Sequence, residues 1–127
     1  MTDTTSTYEA ALHYHEQGWQ VLPLHHMRQD GTCSCGDTDL RADGLDHHPI
    51  GKHPTQRRWQ DAAPLTTADL YTAFAETPSN IGIVTGAPSG IFVIDVDNPE
   101  ALMALEDEHG RLPATFTVAT GRGVHYV

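Results

Sequence analysis

The sequence predicts a mixed α+β fold, a single domain over residues 1–127, and three observations carry that prediction. Capping residues punctuate three helical stretches, and runs rich in β-branched residues lie between them. The stretch 25–57 follows neither period and holds both cysteines with five of the nine histidines. In chain order, Ser6-Thr7-Tyr8-Glu9 is a capping box and Gly18 a stop, which places a helix at about 7–17. Trp19 to Leu24 is a short strand, with Pro23 marking an edge or a strand end. Residues 25–57 carry Asp30, Asp37, Asp39, Asp43 and Asp46 and are too long for a structureless connection in a small domain, so they predict a functional or internally stapled loop. Thr66 or Thr67 caps a second helix, with Leu70, Ala73 and Phe74 on one side and Thr77-Pro78 at its end. Strands at 80–85 and 91–97, joined by Gly86-Ala87-Pro88-Ser89-Gly90, predict a buried hairpin. Asn98 caps a third helix with Pro99 at its first position, Leu102 and Leu105 facing the core and Gly110 ending it. Two strands, 116–119 and 124–127, close the chain around Thr120-Gly121-Arg122-Gly123. The last residues are apolar and strand-like, so continuation beyond Val127 is expected.

Composition narrows the function classes. With 39% hydrophobic residues and a length of 127, the chain can bury a core without disulfide staples. No run approaches the roughly 20 apolar residues of a membrane span, and MTDTTSTYEA lacks the basic and apolar regions of a secretory signal, so no membrane role and a cytoplasmic location are expected. Seventeen acidic residues against seven Lys and Arg, a net charge of −10, predict no nonspecific grip on nucleic acid. Phosphate chemistry would then depend on divalent cations or on parts of a longer protein, and Lys52, Arg57, Arg58 and Arg122 are the only phosphate contacts expected near the motifs.

Three places could carry chemistry. Asp95-Val96-Asp97 ends the most hydrophobic stretch, and the strand period of two puts both carboxylates on one face, roughly 6.5–7 Å apart along the chain. Such a pair converges on hard cations, Mg²⁺ or Mn²⁺, as in phosphoryl and nucleotidyl transfer, although a simple strand-to-helix turn has the same sequence. Thr120-Gly121-Arg122-Gly123-Val124-His125 combines glycines that permit close approach of backbone to phosphate with a cation and an imidazole donor, and would equally suit a hairpin turn. In the long loop, Cys33 and Cys35 stand too close in sequence to bridge each other readily. With two of His47, His48 and His53 they would make a tetrahedral zinc site, His25 and His26 being spare candidates. A solvated His/Asp loop is the alternative. His13, His15 and His109 read as surface helix residues.

Taken in order, Gly18-Trp19, Val21-Leu22-Pro23-Leu24, Gly51-Lys52-His53-Pro54, Asn80-Ile81-Gly82-Ile83-Val84-Thr85-Gly86, Ser89-Gly90, Asp95-Val96-Asp97 and Thr120-Gly121-Arg122-Gly123-Val124-His125 resemble the N-terminal domain of bifunctional primase/polymerases, the Prim-Pol family. The resemblance spans nearly the whole chain and rests on order and spacing rather than on any one element. It implies a mixed sheet with helices packed on it and template-directed nucleotide addition by the intact parent. Asp95 and Asp97 would hold the catalytic Mg²⁺ or Mn²⁺, and His125 would contact the triphosphate. Lys52, Thr85, Gly86, Gly121, Arg122 and Gly123 would line the nucleotide.

The family's zinc loop runs C-x-C, a third Cys, then G-K-H-P. Aligned on Gly51-Lys52-His53, that third Cys falls at His48, an exchange zinc tolerates. The expected zinc ligands are therefore Cys33, Cys35, His48 and His53, with His47 competing for the third position. Nucleoside triphosphates, a single-stranded DNA template and primer are the implied partners, with a fused or associated helicase in a replication protein of a phage, plasmid or other mobile element. The family's third acidic motif lies beyond the end of this sequence, so weak or absent activity is expected of these residues alone. Rival readings are a non-catalytic, zinc-stabilised nucleotide- or partner-binding module and a metal-dependent phosphoesterase using the same D-x-D.

Overall fold

Ser6 starts the first helix as its spacing predicts. In the computed structural model of the chain its hydroxyl accepts the Glu9 N–H at 3.1 Å, and α1 spans Thr7–Glu16. The structure describes residues 6–36, 50–121 and 123–127. They form three α-helices and five strands, an α+β fold, in two compact units, Met1–Val84 and Thr85–Val127. Among the described residues no helix is long and apolar enough to cross a membrane.

In the first unit Gly18, at φ 88, turns the chain out of α1 into β1 (Gln20–Leu24). A reciprocal capping box opens α2 (Thr67–Phe74): Thr66 accepts the Asp69 N–H, and Asp69 accepts the Thr66 N–H. Ala11, Val21, Leu70 and Phe74 are buried together, with Tyr8, Leu12 and Ile81 packed against them. Tyr8 meets Tyr71 edge-on at 5.4 Å, and Tyr14 stacks on Trp19 at 5.7 Å. The second strand, β2 (Asn80–Val84), pairs antiparallel with β1, Leu22 standing opposite Gly82. A Cβ at Gly82 would sit 2.9 Å from the side-chain carbons of Leu22 and Leu24. The glycine therefore leaves the room those two leucines occupy.

The second unit contains β3 (Ile94–Val96), α3 (Pro99–His109), β4 (Thr117–Ala119) and β5 (Val124–Tyr126), with strand order β3-β5-β4 and every pair antiparallel. Asn98 caps α3 by accepting the Glu100 N–H at 2.9 Å, with Pro99 at the first helical position.

Four expectations change. The hairpin of 80–85 with 91–97 does not form, because β2 pairs with β1 and β3 with β5, leaving one isolated bridge, Gly86 with Ile91. The apolar run 91–93 is not a buried strand, and Phe92 is 74% exposed. Leu105 lies exposed rather than facing a core, since α3 packs on the short, three-residue β3 and has no buried residue. The strands fall into two antiparallel ladders in place of one mixed sheet.

Candidate functional site

In the second unit the sheet brings the predicted acid and imidazole together. Antiparallel register sets Asp95 directly opposite His125, and Val118 lies on the other side of His125. The His125 Nε2 is 3.2 Å from Asp95 Oδ1, with both side chains about half exposed (40% and 55%). Directly opposed residues on adjacent strands are the closest side-chain neighbours a ladder allows, which is why residues thirty apart in sequence meet here. Asp97 follows β3 at the bend before the Asn98 cap and is exposed. Asp95 and His125 are thus brought together, while Asp97 stands two residues further on and is not gathered with them; carboxylates and an imidazole are donors of the kind a divalent cation accepts.

The glycines of the later motif differ in what they do. A Cβ on Gly123 would collide with the Val96 carbonyl oxygen and come within 3.1 Å of Asp97 Cα, whereas one on Gly121 would meet nothing. The close approach that Gly123 permits is therefore to the backbone of β3, at the base of the two aspartates. Thr120 closes the turn: its N–H donates to the Gly123 carbonyl, and its hydroxyl accepts the Gly123 N–H, each at 2.9 Å. Thr85 and Gly86 are exposed at the start of the second unit, Gly86 at φ 84 donating its N–H to the Ile91 carbonyl. Arg122 lies outside the described residues.

In the first unit, the base of the long loop is zipped by backbone pairing. The His25 N–H donates to the His53 carbonyl at 2.9 Å, and Leu24 bridges to Pro54. Residues 26–34 fold back on themselves through the Met27–Cys33 bridge, with Gly31 at φ 87 in the turn. At that turn the Thr32 hydroxyl and N–H both donate to Asp30, and these bonds, the hydroxyl's first, hold its carboxyl below the usual 3.8. The double closure gathers His25, Cys33 and His53, whose ligand atoms lie within 4.8 Å of one another. Cys33 is 3% exposed, and the two imidazole centroids are 4.6 Å apart. Ser34 Oγ stands 2.9 Å from His25 Nδ1 and accepts the His26 N–H. A metal on His25 Nε2 requires Nδ1–H to donate to that hydroxyl, the usual outer support of a metal-binding imidazole.

One thiolate and two imidazoles are normal zinc donors, so the chemistry of the set fits that metal. Cys35 is not one of the three gathered residues but lines the adjoining cleft with His25 and His53, and no disulfide links it to Cys33. His47 and His48 lie outside the described residues. His25 carried little weight in the sequence because nothing local reveals the pairing of strand β1 with the Gly51–Pro54 turn. That turn is fixed by Asn80, whose Nδ2 donates to the Gly51 carbonyl at 2.8 Å, and Lys52 is exposed within it.

The chain thus has an α+β fold with a carboxylate–imidazole pair across one ladder and a cysteine–histidine cluster at the base of a loop. The chain belongs to the Prim-Pol family, the N-terminal domain of bifunctional DNA primase/polymerases, whose profile matches residues 11–127. Membership implies a primase/polymerase-type function with nucleotides and DNA as substrates. No curated protein and no solved structure matches the chain.

Proposed function

We propose that this chain supplies the nucleotidyl-transfer site of a primase/polymerase, with Asp95, Asp97 and His125 as its working groups. The observation that carries the reading is the cross-strand pair of Asp95 and His125, 3.2 Å apart in the middle of β3. Asp95 and Asp97 would hold Mg²⁺ or Mn²⁺, which when bound lowers the charge on the triphosphate and favours attack by a 3′-hydroxyl on the α-phosphorus with pyrophosphate leaving. Asp95 also accepts from His125, which keeps that imidazole beside the carboxylates, where an N–H can donate to a phosphate oxygen. Gly123 keeps β5 pressed on the β3 backbone and so maintains the register on which the pair depends. Lys52, Thr85, Gly86, Gly121 and Arg122 are proposed as nucleotide contacts by family resemblance.

Zinc in the first unit is the structural counterpart. His25, Cys33 and His53 would hold it, with Cys35 or His48 as the fourth ligand, and it would staple the loop rather than act on substrate. A replication protein of a mobile element working with a helicase is the context the family suggests.

The test is Mn²⁺-dependent binding of a nucleoside triphosphate, followed by calorimetry. Asp95→Ala and Asp97→Ala should each lower affinity at least tenfold while zinc content stays unchanged. Nucleotide binding that survives both substitutions would overturn the reading, and release of inorganic phosphate without incorporation would point to a phosphoesterase.

A further inference from the structure

Next to the cysteine–histidine cluster lies a cleft of about 580 Å³, lined by His25, Cys35 and His53 and by Arg57, Arg58 and Trp59. In a chain with seventeen acidic and seven basic residues, a cleft whose described lining residues include two adjacent arginines and no Asp or Glu is a marked departure from the average. Asp61, the nearest acid in sequence, does not line it. Both arginines are exposed, and among the described residues neither guanidinium is in an ion pair. Trp59 also lines the cleft and is half-buried.

Arg58 adds a second observation. Its φ of 53 and ψ of 42 put it in the left-handed region, the one non-glycine residue there among those described, at the start of the short 3₁₀ turn Trp59–Asp61. Glycine would take that conformation without strain, and an exposed side chain gives nothing back through packing. Arg58 is kept at a conformational cost beside a cleft with no acid among its described lining residues, which points to an anionic ligand.

We propose that this cleft binds the backbone of single-stranded DNA, with Arg57 and Arg58 on successive phosphates and a base stacked on Trp59. Guanidinium forks suit phosphate oxygens, and an aromatic ring accepts any base face, so the pairing of the two favours an unpaired strand of no fixed sequence. The net charge of −10 makes the encounter weak at long range. Recognition is therefore local, short-ranged and steeply salt-dependent. The inference deepens the primase/polymerase reading by assigning a strand-binding surface in addition to Asp95 and His125, and it rests on that reading for the identity of the strand as template or primer.

Fluorescence anisotropy of a labelled oligo-dT, across a salt series, tests it with Arg57→Ala, Arg58→Gly and the double variant. Arg58→Gly removes the guanidinium while relieving the strained backbone, so loss of binding there is not a folding defect, and its melting temperature should equal or exceed that of the unaltered chain. The double variant should bind at least tenfold more weakly at low salt. Its slope of log K against log salt should flatten by about 1.4, about 0.7 for each phosphate that no longer has an arginine on it. Trp59→Leu should weaken binding without changing the slope.

Failure of the unaltered chain to bind oligo-dT, or equal affinity and slope in the double variant, would overturn the proposal. So would loss of ATP binding in the arginine variants when Asp95→Asn retains it, since the cleft would then be a nucleotide site. Asp95→Asn that abolishes nucleotide binding, together with normal oligo-dT binding in the arginine variants, would sink the cleft alone and leave the primase/polymerase reading standing.

Discussion

Gly121 and Gly123 look interchangeable in a Gly-Arg-Gly motif, yet only one of them has its backbone against another strand. Gly123→Ala drives a methyl group into the Val96 carbonyl, so β5 must lift from β3 or shift, at a cost of about 1–3 kcal/mol. Gly121→Ala meets open space and should change stability by less than about 0.5 kcal/mol. Denaturant unfolding of the two variants side by side checks this, and equal effects would refute the packing role of Gly123. Because Asp95 and His125 hold their register through the same strand pair, Gly123→Ala should also weaken nucleotide binding where Gly121→Ala does not. The sequence offered both glycines as phosphate-approaching residues. Which one has a backbone neighbour depends on a strand pairing that no local pattern encodes.

At the scale of elements, capping was the most legible signal. Ser6, Thr66 and Asn98 each cap the helix their spacing predicts, since a cap is decided within four residues of chain. The α2 cap also makes stability depend on pH. The Thr66 N–H, and then its hydroxyl, hold the Asp69 carboxyl below its ordinary 3.8. A carboxyl depressed in the folded state stabilises fully above its unfolded value, and that contribution is lost as pH falls through the folded value. Melting temperatures of the chain and of Asp69→Asn should therefore differ above about pH 4, in favour of the native residue, and converge as pH falls below that. A constant gap across that range would show that ionised Asp69 is not what matters. Strand partners were less legible. The run 80–85 was a strand, but its neighbour proved to be β1, sixty residues back, where Gly82 leaves room for Leu22 and Leu24, while the expected partner 94–96 pairs with β5.

For the molecule as a whole, the buried residues all lie in the first unit: among the described residues none in Thr85–Val127 is buried, and Phe92, Met103, Leu105, Phe116 and Val118 are exposed. The proposed zinc belongs to that first unit too, and at free zinc a thousandfold above its dissociation constant would add about 4 kcal/mol. Chelation should accordingly speed amide exchange over residues 25–36 and 53–55 while leaving β3 and β5 unchanged. Zinc content measured by mass spectrometry should fall from one per chain to none in Cys33→Ala and His25→Ala, and comparison of Cys35→Ala with His48→Ala identifies the fourth ligand. Full zinc content in His25→Ala would remove that residue from the site.

What the sequence by itself determined were the α+β class, the three helices with their caps, the Asp95-Val96-Asp97 and His125 motifs and the family they belong to. All of these are written in short-range chemistry or in the order of motifs along the chain. Tertiary structure alone decided that His25 joins Cys33 and His53, that Asp95 faces His125, and that Arg57, Arg58 and Trp59 wall one cleft. These contacts depend on which strand pairs with which and how a long loop closes on its own base. Strand pairing and loop closure are settled by packing between distant segments, which a local pattern of residues does not record.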